Sequence, residues 1–171
     1  MKATALLALL VVAGCDSGPD ISGFYQTTML SVDSAGCGPG TPELNPPMYF
    51  FVKTEKLTGF SFYSLKSCTQ PNEEACTGSI GNAIPLSQSI SDGYSGRFSV
   101  SSGSTASCSL TFGRATGTLK DGIFRYESIQ FGDVNQMVAD CDPDEASKRG
   151  TSMPCKGYTL LVGAPYRIST Q

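Results

Sequence analysis

The chain has 171 residues, a net charge of −3, and neither His nor Trp. The missing His excludes Ser-His-Asp and Cys-His catalysis and every His-containing zinc site. With no run of basic residues, an acidic chain of this kind is not expected to bind nucleic acid.

Lys2 precedes a ten-residue apolar run over positions 3–12, broken only by Thr4. As a helix, that run covers about 15 Å, roughly half the hydrocarbon core of a bilayer, so it is too short to span and has the length of a signal h-region. Val12-Ala13-Gly14-Cys15 follows, and then a polar stretch, Asp16-Ser17-Gly18-Pro19-Asp20. This segment resembles the signal peptide of a bacterial lipoprotein, with positions 12–15 as its lipobox and Val12 where the family prefers Leu. The resemblance implies a signal peptide over 1–14, removal before Cys15, a diacylglyceryl thioether on Cys15 and an acyl chain such as palmitate on the new amine. Two or three chains hold a protein on a membrane far more firmly than one. Residues 15–22 then form a lipidated tether whose reach is below roughly 30 Å. Asp16 resembles the inner-membrane retention signal of enteric bacteria, a rule that differs between bacterial groups, so inner and outer membrane both stay open. The implied partner is the membrane, through the lipid, and the implied location is the cell envelope.

Residues 23–171 are expected to fold as one domain, with 11 basic against 15 acidic side chains after position 14. Setting Cys15 aside leaves Cys37, Cys68, Cys76, Cys108, Cys141 and Cys155, an even number that argues for three disulfides in an oxidising extracytoplasmic space. Six Cys permit 15 connectivities. The pairing expected from spacing is Cys68–Cys76 and Cys141–Cys155 as local loops, with Cys37–Cys108 as the long-range bridge. No two of them are close enough for a CxxC metal motif.

Short alternating apolar runs dominate the mature chain, which argues for β structure throughout. The first strand is expected over 23–32 and a Gly- and Pro-rich loop over 33–47. A hairpin over 48–54 and 57–66 turns at Glu55-Lys56. A polar loop over 67–78 follows, then an ambiguous stretch over 80–90 with one short strand near 83–86. The next hairpin joins 96–101 to 105–113 across Ser102-Gly103-Ser104. The clearest signal is Asp121-Gly122, a two-residue type I′ loop. It sets Lys120 opposite Ile123, Leu119 opposite Phe124, Thr118 opposite Arg125 and Gly117 opposite Tyr126. A strand over 133–139, a charged loop over 140–154 and strands over 156–162 and 165–169 complete the chain. The domain is therefore read as all-β, a single antiparallel meander stapled by disulfides. A closed lipocalin-like barrel is favoured and a β-sandwich is the alternative. Gly23-Phe24-Tyr25 slightly resembles the Gly-x-Trp opening of lipocalins.

Candidate chemistry is sparse. Asp140, Asp142 and Asp144 alternate as a calcium loop begins, but Glu145 and Thr151 stand where such a loop needs Gly and Glu, so no metal site is expected. Glu73, Glu127 and Asp133 are carboxylates without a paired partner in sequence, and Ser147-Lys148 lies in an open loop. No cofactor and no enzymatic activity are expected. Phe60, Phe62, Phe98, Phe112, Phe124 and Tyr126 are candidates to line a pocket, or simply to form a core. The functional expectation is a non-catalytic binding module for an envelope protein or glycan. The alternatives are a carrier of a small apolar ligand and a carboxylate-dependent hydrolase.

Overall fold

The computed structural model describes residues 18–81 and 83–167 and is all-β, with one antiparallel sheet. Its strands are β1 (Gly23–Asp33), β2 (Tyr49–Leu57), β3 (Phe60–Cys68), β4 (Cys76–Ser79), β5 (Gln88–Ile90), β6 (Gly93–Ser104), β7 (Ser107–Lys120), β8 (Ile123–Gln136) and β9 (Cys155–Pro165). One short helix, α1 (Pro143–Arg149), precedes β9. The signal segment, Cys15 and the end of the expected final strand lie outside the described residues. Among those residues no helix is long and apolar enough to cross a membrane.

The strand order is β4-β3-β2-β1-β9-β8-β7-β6-β5. Two meanders, β1–β4 and β5–β9, are joined where the first strand pairs with the last. Neither favoured nor alternative architecture describes this: there is one sheet instead of two, and its ladder is not closed into a barrel. The opening falls between β4 and β5, and residues 80, 81 and 83–87 form its seam. Across it, the Tyr63 N–H donates to the Leu86 carbonyl (2.8 Å) and the Leu86 N–H to the Tyr63 carbonyl (3.0 Å). The Ser87 N–H reaches the Ser95 carbonyl on β6 (2.9 Å).

The seam also fills the interior. Ile80, Ile84 and Leu86 are buried in one core with Ile21, Tyr25, Phe50, Val52, Leu65, Phe124, Tyr126 and Leu161. Burying each large apolar side chain contributes about 1.5–3 kcal/mol. β7 makes room for the seam with small inward residues, Gly113, Ala115 and Gly117. A Cβ at Gly117 would lie 2.3 Å from Leu86 Cδ1, and one on Gly96 of β6 would lie 1.9 Å from the Pro85 carbonyl oxygen. The Tyr126 hydroxyl accepts from the Ile84 N–H (2.6 Å) and donates to the Ile84 carbonyl (3.3 Å). Tyr126→Phe removes both bonds and leaves a buried amide unpaired. The expected cost is about 1–3 kcal/mol, read as a lower denaturant midpoint and faster hydrogen exchange at Ile84.

The Asp-Gly hairpin has the expected register in every pair, Lys120↔Ile123 through Gly117↔Tyr126. Other turns shift. β2 and β3 turn at Thr58-Gly59, with Gly59 at φ +92°, instead of Glu55-Lys56. β6 and β7 turn at Thr105-Ala106 and not at the Ser-Gly-Ser stretch, which stays paired. β8 runs unbroken through the expected strand at 133–139 as far as Gln136.

The charged stretch over 140–154 contains α1. Asp142 accepts from the Glu145 N–H (2.8 Å) as N-cap, and Pro143 opens the helix. Acidic Asp144 and Glu145 begin it, basic Lys148 and Arg149 end it, and Arg149 Nε donates to Glu145 Oε1 (3.0 Å). The Asp-x-Asp-x-Asp run is thus a helix start. Ala146 and Met153 cover the outward face of β7 and β8 in a second core with Cys108, Leu110 and Phe131.

The disulfides are Cys37–Cys155, Cys68–Cys76 and Cys108–Cys141. Only Cys68–Cys76 follows the pairing expected from spacing. Register explains the exchange of the other two. Gln136 at the end of β8 sits opposite Cys108, so the chain passes Cys141 back over that residue. Tyr158 near the start of β9 sits opposite Asp33, which brings Cys155 to Cys37.

Candidate functional site

On β6, β7 and β8, alternate residues point away from the main core. Beyond the part covered by α1, this outward face bears a groove of about 540 Å³, lined by Ser95, Arg97, Phe112, Arg114, Glu127 and Thr151 among others. Its floor is set by register. Arg97 on β6 lies directly opposite Arg114 on β7, Ser95 lies opposite Thr116, and Thr116 lies opposite Glu127. Directly opposed side chains have Cβ atoms roughly 5 Å apart, and like charges there repel.

Both arginines are exposed, and among the described residues neither makes a side-chain hydrogen bond or an ion pair. Glu127 does not neutralise them, because it is engaged elsewhere. Its Oε2 accepts from Arg125 Nη2 (3.0 Å). It also draws on Tyr158, whose phenol is held above its ordinary value first by burial and then by hydrogen bonding to Glu127. The groove thus presents two forked cations, an aromatic edge from Phe112 and hydroxyls from Ser95, Thr116 and Thr151. Guanidinium groups bind carboxylate or phosphate oxygens through paired N–H donors.

Of the six aromatics named as candidate pocket lining, Phe98, Phe124 and Tyr126 meet in the main core, and the other three lie elsewhere. Phe124 and Tyr126 are fully buried, and the Phe124 ring lies 4.9 Å from Tyr25 and 5.6 Å from Phe50. Phe98 packs against that core, and Phe112 pairs with Phe131 at 6.4 Å while lining the groove. Phe60 and Phe62 touch each other on the β2–β3 hairpin, where Phe60 is 56% exposed. A second hollow of about 560 Å³ lies between the seam and β6–β8, lined by Ile84, Phe98, Val100, Thr111 and Gln130 among others. The candidate carboxylates are scattered. Glu73 pairs with Lys53, and Asp133 lies 4.0 Å from Arg149. Ser147 shares a hydrogen bond with Ser99 (2.6 Å).

Sequence reasoning missed the arginine pair. With the β6–β7 turn placed at 102–104, Arg97 would fall opposite Ser109, so the two arginines would not meet. The comparisons add no precedent for the site: set against protein-family models, curated proteins and solved structures, the chain matches none of them.

Proposed function

We propose that this chain is a lipid-anchored, non-catalytic binding module of the bacterial envelope, and that its groove on β6–β8 takes a carboxylate-bearing glycan. The anchor rests on the lipobox at positions 12–15. An oxidising compartment agrees with the three disulfides. One observation carries the choice of ligand, the opposed and unpaired Arg97 and Arg114. Two like charges face each other across a ladder with neither paired to a carboxylate, Glu127 being held by Arg125, and an acidic ligand relieves that repulsion while filling both guanidinium forks. Phe112 offers a flat apolar edge to a sugar ring, and the three hydroxyls offer polar partners.

The test is electrophoresis of the protein through gels containing polygalacturonate, with neutral dextran as the control. Retardation is expected in polygalacturonate alone. Charge-assisted hydrogen bonds contribute about 1.5–3 kcal/mol each, so replacing one arginine should weaken binding by about 10- to 100-fold. Arg97→Ser with Arg114→Ser should therefore abolish retardation, while Lys120→Ser, on the turn outside the groove, should leave it intact. Equal retardation of the double variant and the parent would overturn the assignment. The carrier reading keeps one observation, the hollow beside Phe98. A discrete extra mass on the native protein, lost on unfolding, would favour it.

A further inference from the structure

We infer that the tip of the β2–β3 hairpin is a second membrane contact, inserting Leu57 and Phe60 into the bilayer that holds the lipid anchor. The inference rests on the anchored reading of Cys15 and says how the domain sits once anchored.

The placement follows from register. β1 begins at Gly23, opposite Val52, and β2 continues past it to Leu57. The Thr58-Gly59 turn therefore projects at the end of the sheet where β1 begins and β9 finishes. The Ser91-Asp92 and Asp121-Gly122 turns lie at that end too, because Gly93 pairs with Thr118 and Phe124 with Gly163. Every residue from Lys56 to Ser61 is exposed, with Leu57 at 58% and Phe60 at 56%. Leu57 pairs directly with Phe60, and the Phe62 ring lies 6.0 Å behind Phe60. A tight turn with large apolar side chains and no cover is costly in water and suited to the acyl boundary.

The start of the described chain lies against the β5–β6 turn, at this same end of the sheet. The Gly18 N–H donates to Ser89 Oγ (2.8 Å), and the Gly18 carbonyl accepts from the Tyr94 hydroxyl (3.3 Å). The Tyr94 ring lies 4.6 Å from the ring of Tyr63, three residues along β3 from Phe60. The described part of the expected tether, residues 18–22, is fixed here: Ile21 is fully buried, and the Tyr25 hydroxyl donates to the Ile21 carbonyl (2.7 Å). Cys15 lies three positions before Gly18, a reach of at most about 11 Å. A lipid on Cys15 therefore brings this end of the sheet to the membrane. Asp20, Asp92 and Asp121 share the end with Lys56 and Lys120, so the contact is apolar and does not select anionic lipid.

The absence of Trp supplies the test. Phe60→Trp places a single reporter at the tip. Met137→Trp places one at an 82% exposed site just beyond β8, at the far end of the sheet. Each full-length protein, exported and purified from membranes, is reconstituted into phosphatidylcholine–phosphatidylethanolamine vesicles whose acyl chains carry bromine. Several-fold quenching with a blue-shifted emission is expected for Phe60→Trp and none for Met137→Trp. Vesicle-bound protein whose Phe60→Trp emission is unquenched would overturn the inference. Flotation with the vesicles, and its loss in Cys15→Ser, reads the anchor separately. If the parent does not float, the anchor reading fails. Cys15 is then the one thiol outside the disulfides, and coupling it to a maleimide-bearing lipid lets the same quenching measurement decide the tip.

Discussion

Replacing Cys37 and Cys155 by Ala is expected to lower stability by about 5 kcal/mol, the largest loss among the three disulfides. The two residues are 118 apart in sequence, against 33 for Cys108–Cys141 and 8 for Cys68–Cys76. A cross-link restricts the unfolded chain more when it closes a longer loop, which gives about 4 kcal/mol for the second pair and about 2.5 kcal/mol for the third. For a domain of this size, about 5 kcal/mol lowers the melting temperature by about 10–20 °C. Scanning calorimetry of the three double variants checks the order. A greater loss from removing Cys68–Cys76 than Cys37–Cys155 would refute the account. The first variant also frees the loop over 34–47. That loop otherwise keeps its hold on β1 through Ser31 Oγ donating to the Gly40 carbonyl (3.0 Å) and the Glu43 N–H donating to the Leu30 carbonyl (2.8 Å).

Alkali should unfold the protein earlier than its acidic composition suggests. Tyr25 is pushed up to about 12 by burial, with Asp20 adding to it, and Tyr126 is pushed up to about 12 by burial against weaker opposition from Ser128 and Ile84. Tyr63 is raised as well, mainly by burial and then by its neighbour Tyr94. In the unfolded chain a tyrosine loses its proton near 10. Between pH 10 and 12 the unfolded state therefore releases protons that the native state keeps, and stability falls as pH rises through this window. It is fully present below 10. A displacement of two pH units corresponds to about 3 kcal/mol per tyrosine, enough for two of them to offset much of a typical domain's stability. Denaturant midpoints at about pH 9 and about pH 12 read the loss, and tyrosinate absorbance reads the delayed titration. Equal midpoints at the two pH values would sink the prediction. Tyr126→Phe should shrink the difference.

The parts of the fold that were legible in the sequence were those set by near neighbours. Asp121-Gly122 pins its hairpin because two residues with positive φ leave one register. Alternation along β3 puts Phe60 and Phe62 on one face and Tyr63 and Leu65 on the other, as observed. Alternation does not say what covers a face. The inward side of β7 reads as Gly113, Ala115 and Gly117, too small to announce a core, because the bulk opposite them comes from Ile84 and Leu86 of the seam. The outward side reads as Leu110 and Phe112, which looks like a core and is one only because α1 folds over it. Asp142 and Pro143 are strong helix-start signals, yet the run of acidic residues resembled a solvated loop. The arginine pair was hidden by a smaller error. Ser102-Gly103-Ser104 has turn composition, and moving the turn to Thr105-Ala106 changes every partner along β6 and β7.

The pairing of the first strand with the last also governs the order of folding. Within the meanders, two-residue turns at Thr58-Gly59, Ser91-Asp92, Thr105-Ala106 and Asp121-Gly122 make hairpins whose contacts form quickly. The β1–β9 ladder joins residues from opposite ends of the chain and carries most of the loop-closure entropy. In a chain delivered N-terminus first, β1 keeps one edge unpaired until the final strand emerges, and Cys37 waits for Cys155 over the same interval. Oxidation of that pair then marks completion of the sheet, and a protein stalled before β9 would carry a free thiol at Cys37 beside an open strand edge.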